Sequence, residues 1–91
     1  MKLPIVRQDW LESERGWGCR PDGCSFHLCR SDRNRFVEDY WEKMPDKIPA
    51  EYSRPEGDVT IFEVSEAVYD KIKESKNGLR VFQHELREIL K

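Results

Sequence analysis

The spacing of apolar residues predicts one amphipathic helix near the middle of the chain. The apolar positions recur at the i, i+4, i+8 spacing of a single helix face, and they are Phe36, Val37, Tyr40, Trp41 and Met44. Ser31 is a residue type that caps the start of helices, and Pro45 ends a helix at or just before the preceding residue. The pattern therefore predicts a helix over residues 32–44.

Two further helices are predicted in the last third of the chain. Ser65 is the expected cap of a helix over 66–76, and Asn77-Gly78 provides its left-handed stop. Apolar residues from about 82 to 90 fit a terminal helix. Residues 79–83 suit either the start of that helix or a short strand returning beside the strand at 59–64, and the favoured interpretation is a short extended start that runs into the helix.

Two short segments rich in β-branched residues predict strands. Leu3–Arg7 carries Pro4 near its start, and we expect an edge strand there, because proline cannot donate a hydrogen bond to a neighbouring strand. Val59–Val64 predicts a second strand by its β-branched content. Between the first helix and this strand, Pro45–Asp58 holds three prolines and one glycine, so we expect an irregular loop.

The stretch Arg15–Cys29 predicts a β-hairpin with its turn at Pro21-Asp22-Gly23, because these three residue types favour tight turns. Alternation along the hairpin gathers its apolar residues on a core-facing side: Trp17, Cys19, Cys24, Phe26 and Leu28. Ser25, His27 and Cys29 are then expected to face outward.

Together these elements predict an α+β fold. A small antiparallel sheet is expected from the N-terminal strand, the 15–29 hairpin and the strand at 59–64, with two or three helices covering one face. The 91 residues fit a single globular domain, 1–91.

Charge and cysteine content narrow the class of protein. The chain carries 16 basic and 18 acidic side chains, for a formal charge of −2, which argues against a general affinity for nucleic acid. No apolar run approaches the roughly 20 residues of a membrane span. Three cysteines, an odd number, fit a secreted disulfide framework poorly, so we expect a soluble protein of the reducing cytoplasm.

The cysteines and one histidine form the clearest candidate for a chemical site. Three sulfurs and an imidazole are a possible zinc ligand set, comprising Cys19, Cys24, His27 and Cys29. The spacing lacks the Cys-x2-Cys pair of common zinc modules, and the hairpin alternation separates the ligands onto two faces. Small core cysteines are the favoured interpretation, with a Cys19–Cys24 disulfide or a reactive thiol as alternatives. We expect no metal and no cofactor.

The sequence contains no recognised catalytic motif, so we expect a protein that is not an enzyme, although a Cys29–His27 pair is conceivable. The favoured function is a small non-catalytic protein-binding module, acting as an adaptor, regulator or inhibitor of a larger partner. Its size and composition would suit an accessory protein of a bacterium or phage. A zinc-stabilised small domain is an alternative.

Two groups of residues are candidates for binding a partner. Aromatic residues are enriched at interfaces, so we expect some of Trp10, Trp17, Trp41 and Tyr52 to be exposed in one patch, although Trp17 also suits the core. The basic candidates, which would support contact with nucleic acid as an alternative, are Arg20, Arg30, Arg33 and Arg35.

Overall fold

The computed structural model describes residues 1–14, 18–45 and 51–89. Within these ranges the strands are β1 (Lys2–Glu14), β2 (Cys19–His27), β3 (Glu51–Ser65) and β4 (Leu79–Val81). The helices are α1 (Arg30–Lys43), α2 (Glu66–Glu74) and the single turn α3 (Leu86–Ile89), which follows a 3-10 turn over Gln83–Glu85. The α+β class and the antiparallel sheet are thus confirmed.

The four strands form one antiparallel sheet in the order β3-β1-β2-β4. The N-terminal strand is therefore an inner strand, and the expectation of an edge strand at Leu3–Arg7 is wrong. Pro4 is tolerated because it pairs only with Glu63 of β3, while the pairing of β1 with β2 begins at Val6. The missing N–H of Pro4 thus lies where β1 has a single neighbour.

The hairpin is formed by β1 and β2, and the predicted hairpin with a turn at Pro21-Asp22-Gly23 is wrong. All three residues lie inside β2, where Asp22 and Gly23 together stand opposite the single residue Trp10. Gly23 has a φ of +80°, a backbone conformation that glycine adopts at low cost. The same residue types that favour a turn therefore form a bulge within a strand.

The third strand is much longer than the predicted strand at 59–64. β3 begins at Glu51, so residues 51–58 are strand rather than the predicted loop. An outer strand tolerates Pro55, and Gly57 adopts a φ of +69° where the register between β1 and β3 shifts. Ile48, in the same predicted loop, lies outside the described residues.

The helices begin and end close to the predicted positions, with local differences. α1 spans 30–43 rather than 32–44, and its cap is Cys29 rather than Ser31. α2 has the predicted cap, since Ser65 Oγ accepts a hydrogen bond from the Val68 amide, but it ends at Glu74. Asn77 and Gly78 follow with positive φ values of 63° and 145°.

The segment from residue 79 onward starts as a strand and continues into helical turns. β4 pairs with β2, not with the strand at 59–64, so the predicted neighbour is wrong. The predicted helix over about 82–90 is represented by the 3-10 turn and α3. Residues 90 and 91 lie outside the described residues.

The helices cover both faces of the sheet, in contrast to the predicted coverage of one face. Ile5 and Phe26 pack under α2 in an apolar core completed by Cys24, Val64, Val68, Ile72 and Val81. Residues that alternate with these point to the other face, where the rings of Phe36 and Tyr40 from α1 contact Trp10. In the described ranges, no helix is long and apolar enough to cross a membrane.

Candidate binding surface

A chain of buried polar groups lies beneath α1. Trp10 Nε1 donates a hydrogen bond of 2.8 Å to Ser25 Oγ, which lies 2.7 Å from His27 Nε2. His27 Nδ1 lies 2.7 Å from the carbonyl oxygen of Asn77. Because a carbonyl can only accept, Nδ1 carries a proton and donates it to Asn77.

The neutral form of His27 satisfies this chain completely. With Nδ1 protonated, Nε2 accepts from the Ser25 hydroxyl, whose oxygen accepts in turn from Trp10. Burial lowers the pKa of His27, and the Asn77 carbonyl and Asp32 only partly oppose that effect. The imidazole is therefore held neutral at neutral pH.

Ser25 and His27 resemble a nucleophile and base in their spacing, but both side chains are fully buried. A substrate has no access to the Ser25 hydroxyl in this arrangement, so the pair is structural. The expectation that Ser25 and His27 face outward to solvent is wrong, because α1 covers that face. Cys29 is exposed at the α1 cap, so it does not join His27 in one accessible site.

A second buried polar residue, Gln8, ties α1 to the sheet. Its amide nitrogen lies 2.9 Å from the Glu56 carbonyl and 3.2 Å from the Gly57 carbonyl, beside the register shift in β3. Its amide oxygen accepts a hydrogen bond of 2.8 Å from Arg33 Nε. Arg33 is therefore occupied in holding α1 against the sheet.

Arg80 forms a third polar contact on the α1 face. Its guanidinium lies 4.9 Å from the ring centre of Trp10 and 4.5 Å from that of Phe82, and it forms a 2.9 Å ion pair with Asp22. Burial lowers the pKa of Arg80, and the carboxylate of Asp22 partly compensates. Asp22 also accepts a hydrogen bond from Ser53, which links the bulge of β2 to β3.

Above these polar contacts, three rings form what we call the aromatic surface: Tyr40, Trp41 and Tyr52. The ring centre of Trp41 lies 5.2 Å from that of Tyr40 and 6.3 Å from that of Tyr52, in edge-to-face arrangements. Trp41 is 38% exposed, whereas Tyr40 and Tyr52 are half-buried. Tyr40 donates its hydroxyl proton to the Ser53 carbonyl, and its burial raises its pKa.

The structure separates the four aromatic candidates. Trp10 is 1% exposed, so the expectation that it belongs to an exposed patch is wrong; it instead supports α1 from below. Trp17 lies outside the described residues. Trp41 and Tyr52 lie together at the surface, and Tyr40, which is not among the four candidates, completes the cluster.

The four candidate arginines do not form one patch. Arg20 pairs with Glu12 near the start of β2, whereas α1, which carries the other three arginines, follows the opposite end of that strand. Arg35 lies 3.5 Å from Asp32, and Arg33 contacts Gln8. Arg30 lines a small cleft together with Arg33 and the acidic Asp58.

The cysteines occupy two different environments. Cys24 is fully buried on the α2 face with Phe26, as predicted, and burial raises the pKa of its thiol to about 11. Cys19 and Leu28, which were expected beside them in the core, are exposed. Cys24 and His27 point to opposite faces of β2, and no cluster of three or more candidate metal ligands occurs among the described residues.

The polar residues beneath α1 were not identified from the sequence as a group. Alternation in β2 correctly places Ser25 and His27 opposite Cys24 and Phe26. Gln8, Asn77 and Arg80 come from other strands and loops, so no local pattern brings them together.

No protein-family model, curated protein or solved structure matches this chain.

Proposed function

We propose that this chain is a small protein-binding module that contacts its partner through the aromatic surface on α1. The observation that carries the proposal is the position of Trp41, a large aromatic side chain that is 38% exposed and held between two tyrosine rings. Tryptophan and tyrosine, together with arginine, are enriched among the side chains that dominate binding energy at protein interfaces.

The rings are held by contacts within the chain itself. Tyr40 is fixed by its hydrogen bond to Ser53 and by its edge-to-face contact with Trp10, at 5.0 Å between ring centres. Trp41 is supported on both sides by Tyr40 and Tyr52. Ordering a large side chain at an interface costs roughly 0.5–1.5 kcal/mol, so rings that are already held lose less on binding.

The helix itself supports the proposal. None of the described side chains of α1 is fully buried, whereas α2, which is shorter, buries Val68 and Ile72. A partner docking along α1 would remove further apolar area of the helix from water. The free thiols of Cys19 and Cys29 are exposed, which suits the reducing cytoplasm that we propose as its location.

The proposal is tested by affinity capture from source cells with three forms of the tagged chain: wild type, Trp41→Ala and Phe82→Ala. Phe82 is 44% exposed and lies after β4, so its replacement controls for loss of any exposed aromatic ring. We expect wild type and Phe82→Ala to retain the same partner and Trp41→Ala to lose it. If Trp41→Ala recovers as much of the partner as wild type does, the proposal that the aromatic surface binds the partner is contradicted.

A further inference from the structure

The second half of α1 carries two carboxylates beside Trp41 that have no cationic partner. Glu38 lies one turn before both Trp41 and Glu42, and side chains three or four residues apart on a helix are neighbours. Glu38 and Glu42 are exposed, and neither takes part in an ion pair among the described residues. The exposed part of Trp41 is therefore bordered by negative charge.

The basic residues around the aromatic surface do not neutralise this charge. Among the described residues, those nearest in sequence to Trp41 and Tyr52 are each engaged with another group: Arg35 with Asp32, Lys43 with Asp39, and Arg54 with the sulfur of Cys19. Each of the two ion pairs is neutral as a whole. The charge on Glu38 and Glu42 is therefore left for a group outside the chain.

The position of these two carboxylates is unfavourable for the helix alone. Like charges at i, i+4 repel each other, and Glu38 and Glu42 have this spacing. The carbonyl groups at the C-terminal end of a helix also disfavour a negative charge, and Glu42 lies in the last turn of α1. A positive group brought by another molecule relieves both effects. A local conflict of this kind is expected where a surface serves binding.

A guanidinium is the cation that suits this surface best, because it can stack on an indole ring and pair with a carboxylate at the same time. The chain already contains this arrangement elsewhere. The guanidinium of Arg80 lies 4.9 Å from the ring centre of Trp10 and forms a 2.9 Å ion pair with Asp22. Trp41 has the carboxylates beside it, but no cation of the described residues lies over its ring.

We propose that the partner presents an arginine side chain to Trp41, stacked on the exposed indole ring and paired with Glu38 or Glu42. The choice of arginine rests on the proposed function, which selects the surface, and adds the chemistry of the partner: a protein segment with exposed arginine side chains. Arginine is itself enriched among the residues that dominate binding energy at interfaces. The same carboxylates repel the phosphates of a nucleic acid, so this surface selects a basic protein.

The test is an NMR titration of the full chain with a short capped peptide of alternating glycine and arginine, at up to about 10 mM. The indole N–H signal of Trp41, identified by its loss in Trp41→Ala, is expected to shift saturably. The corresponding lysine peptide should bind more weakly, and the corresponding glutamate peptide should leave the signal unmoved. Raising the salt concentration from about 0.05 M to about 0.5 M should weaken the binding of the arginine peptide.

Paired substitutions test the two carboxylates. Glu38→Gln with Glu42→Gln is expected to weaken the binding of the arginine peptide at least about threefold. The matched control is Asp70→Asn with Glu74→Gln, which removes two exposed carboxylates of the same spacing from α2. It should bind the peptide like wild type. Circular dichroism checks that both double variants keep the fold.

The outcomes separate this proposal from the proposed function. A Trp41 signal that the arginine peptide leaves unmoved overturns the choice of arginine, as does equal binding by wild type and the variant with both glutamines. A lysine peptide that binds as tightly also overturns it. Affinity capture with Trp41→Ala tests the proposed function separately. If Trp41→Ala loses the captured partner while the variant with both glutamines retains it at every salt concentration, the aromatic surface binds a partner, but not through arginine.

Discussion

At the scale of single residues, the arrangement around His27 depends on its charge. The neutral ring donates to the Asn77 carbonyl and accepts from the Ser25 hydroxyl. A second proton on Nε2 would turn that nitrogen into a donor, so Ser25 would receive two donors, from His27 and Trp10, and lose the acceptor of its own proton. Acid therefore disrupts a buried chain of hydrogen bonds beneath α1.

The first prediction is a loss of stability below pH 6.5 that depends on His27. Burial lowers the pKa of His27 in the folded chain from its ordinary 6.5. The contribution of neutral His27 to the free energy of unfolding is thus fully present above pH 6.5. It is lost as the pH falls toward the pKa of His27 in the folded chain. The slope for one proton is at most about 1.4 kcal/mol per pH unit. Urea unfolding between pH 8 and pH 5 measures it.

The second histidine of the chain is the control for this prediction. His84 is exposed and takes no part in the buried chain of hydrogen bonds, so the loss of stability that depends on His27 should remain in His84→Gln. His27→Gln should flatten the profile between pH 7 and pH 5.5, even where its overall stability is lower. Parallel profiles of stability against pH for wild type and His27→Gln would contradict the role of His27 in the loss of stability.

The second prediction concerns the cysteine thiols. Burial raises the pKa of Cys24 to about 11, whereas Cys19 and Cys29 are exposed. Because the thiolate is the reactive form, we expect iodoacetamide to modify two cysteines in the native chain and a third only after denaturation. Mass spectrometry counts the added groups. Rapid modification of Cys24 in the native chain would show that the α2 face of the sheet opens readily.

At the scale of elements, the bulge in β2 positions the residues that surround α1. Asp22 and Gly23 occupy the place of one residue opposite Trp10, and this lets Asp22 meet both Arg80 and Ser53. Gly23 is essential to this geometry, since a β-carbon there would lie 2.0 Å from the carbonyl oxygen of Val81.

The third prediction compares two glycines that share a left-handed backbone. Gly57 has a φ of +69° and open space where a β-carbon would be, so Gly57→Ala should cost about 1–2 kcal/mol of unfolding free energy. Gly23→Ala carries the same backbone cost and also collides with β4, and we expect a further loss of about 1–3 kcal/mol. Thermal and urea unfolding of both variants give the difference. Equal stability of the two variants would contradict the close contact with β4.

Local patterns predicted the helices better than the strands. The periodicity from Phe36 to Met44 and the Ser65 cap depend on residues near in sequence, and both helices formed close to the predicted ranges. Strand partners depend on residues far apart. The residue types of Pro21-Asp22-Gly23 therefore predict a turn, whereas in the structure the positive φ of Gly23 forms part of a bulge. Pro55 and Gly57 favour the prediction of a loop over 51–58, but an outer strand tolerates both residues.

At the scale of the whole molecule, the two faces of the sheet are stabilised by different interactions. The α2 face buries apolar side chains, while the α1 face relies on hydrogen bonds, an ion pair and ring contacts. The polar residues of the α1 face could not be predicted as a group from the sequence, because they come from β1, β2, β4 and the loop before β4. The partly exposed Trp41 and Tyr52 were among the aromatic residues named from sequence.

The fourth prediction is that α1 opens at a lower free energy than α2. α2 buries Val68 and Ile72, whereas none of the described side chains of α1 is fully buried. Local opening requires less free energy where fewer apolar contacts are broken, so amide hydrogens in the middle of α1 should exchange faster than those of α2. Hydrogen exchange followed by mass spectrometry measures both. Equal protection of the two helices would contradict the weaker attachment of α1.

The central claim is that the aromatic surface on α1 is where a partner binds. The most direct test places a photo-activated benzophenone side chain at Trp41, and at Phe82 as a control, and irradiates the chain in its source cells. We predict one discrete cross-linked partner from position 41, absent from position 82, and lost when unlabelled wild type competes but not when Trp41→Ala competes. Identical products from both positions, or none from position 41, would contradict the claim.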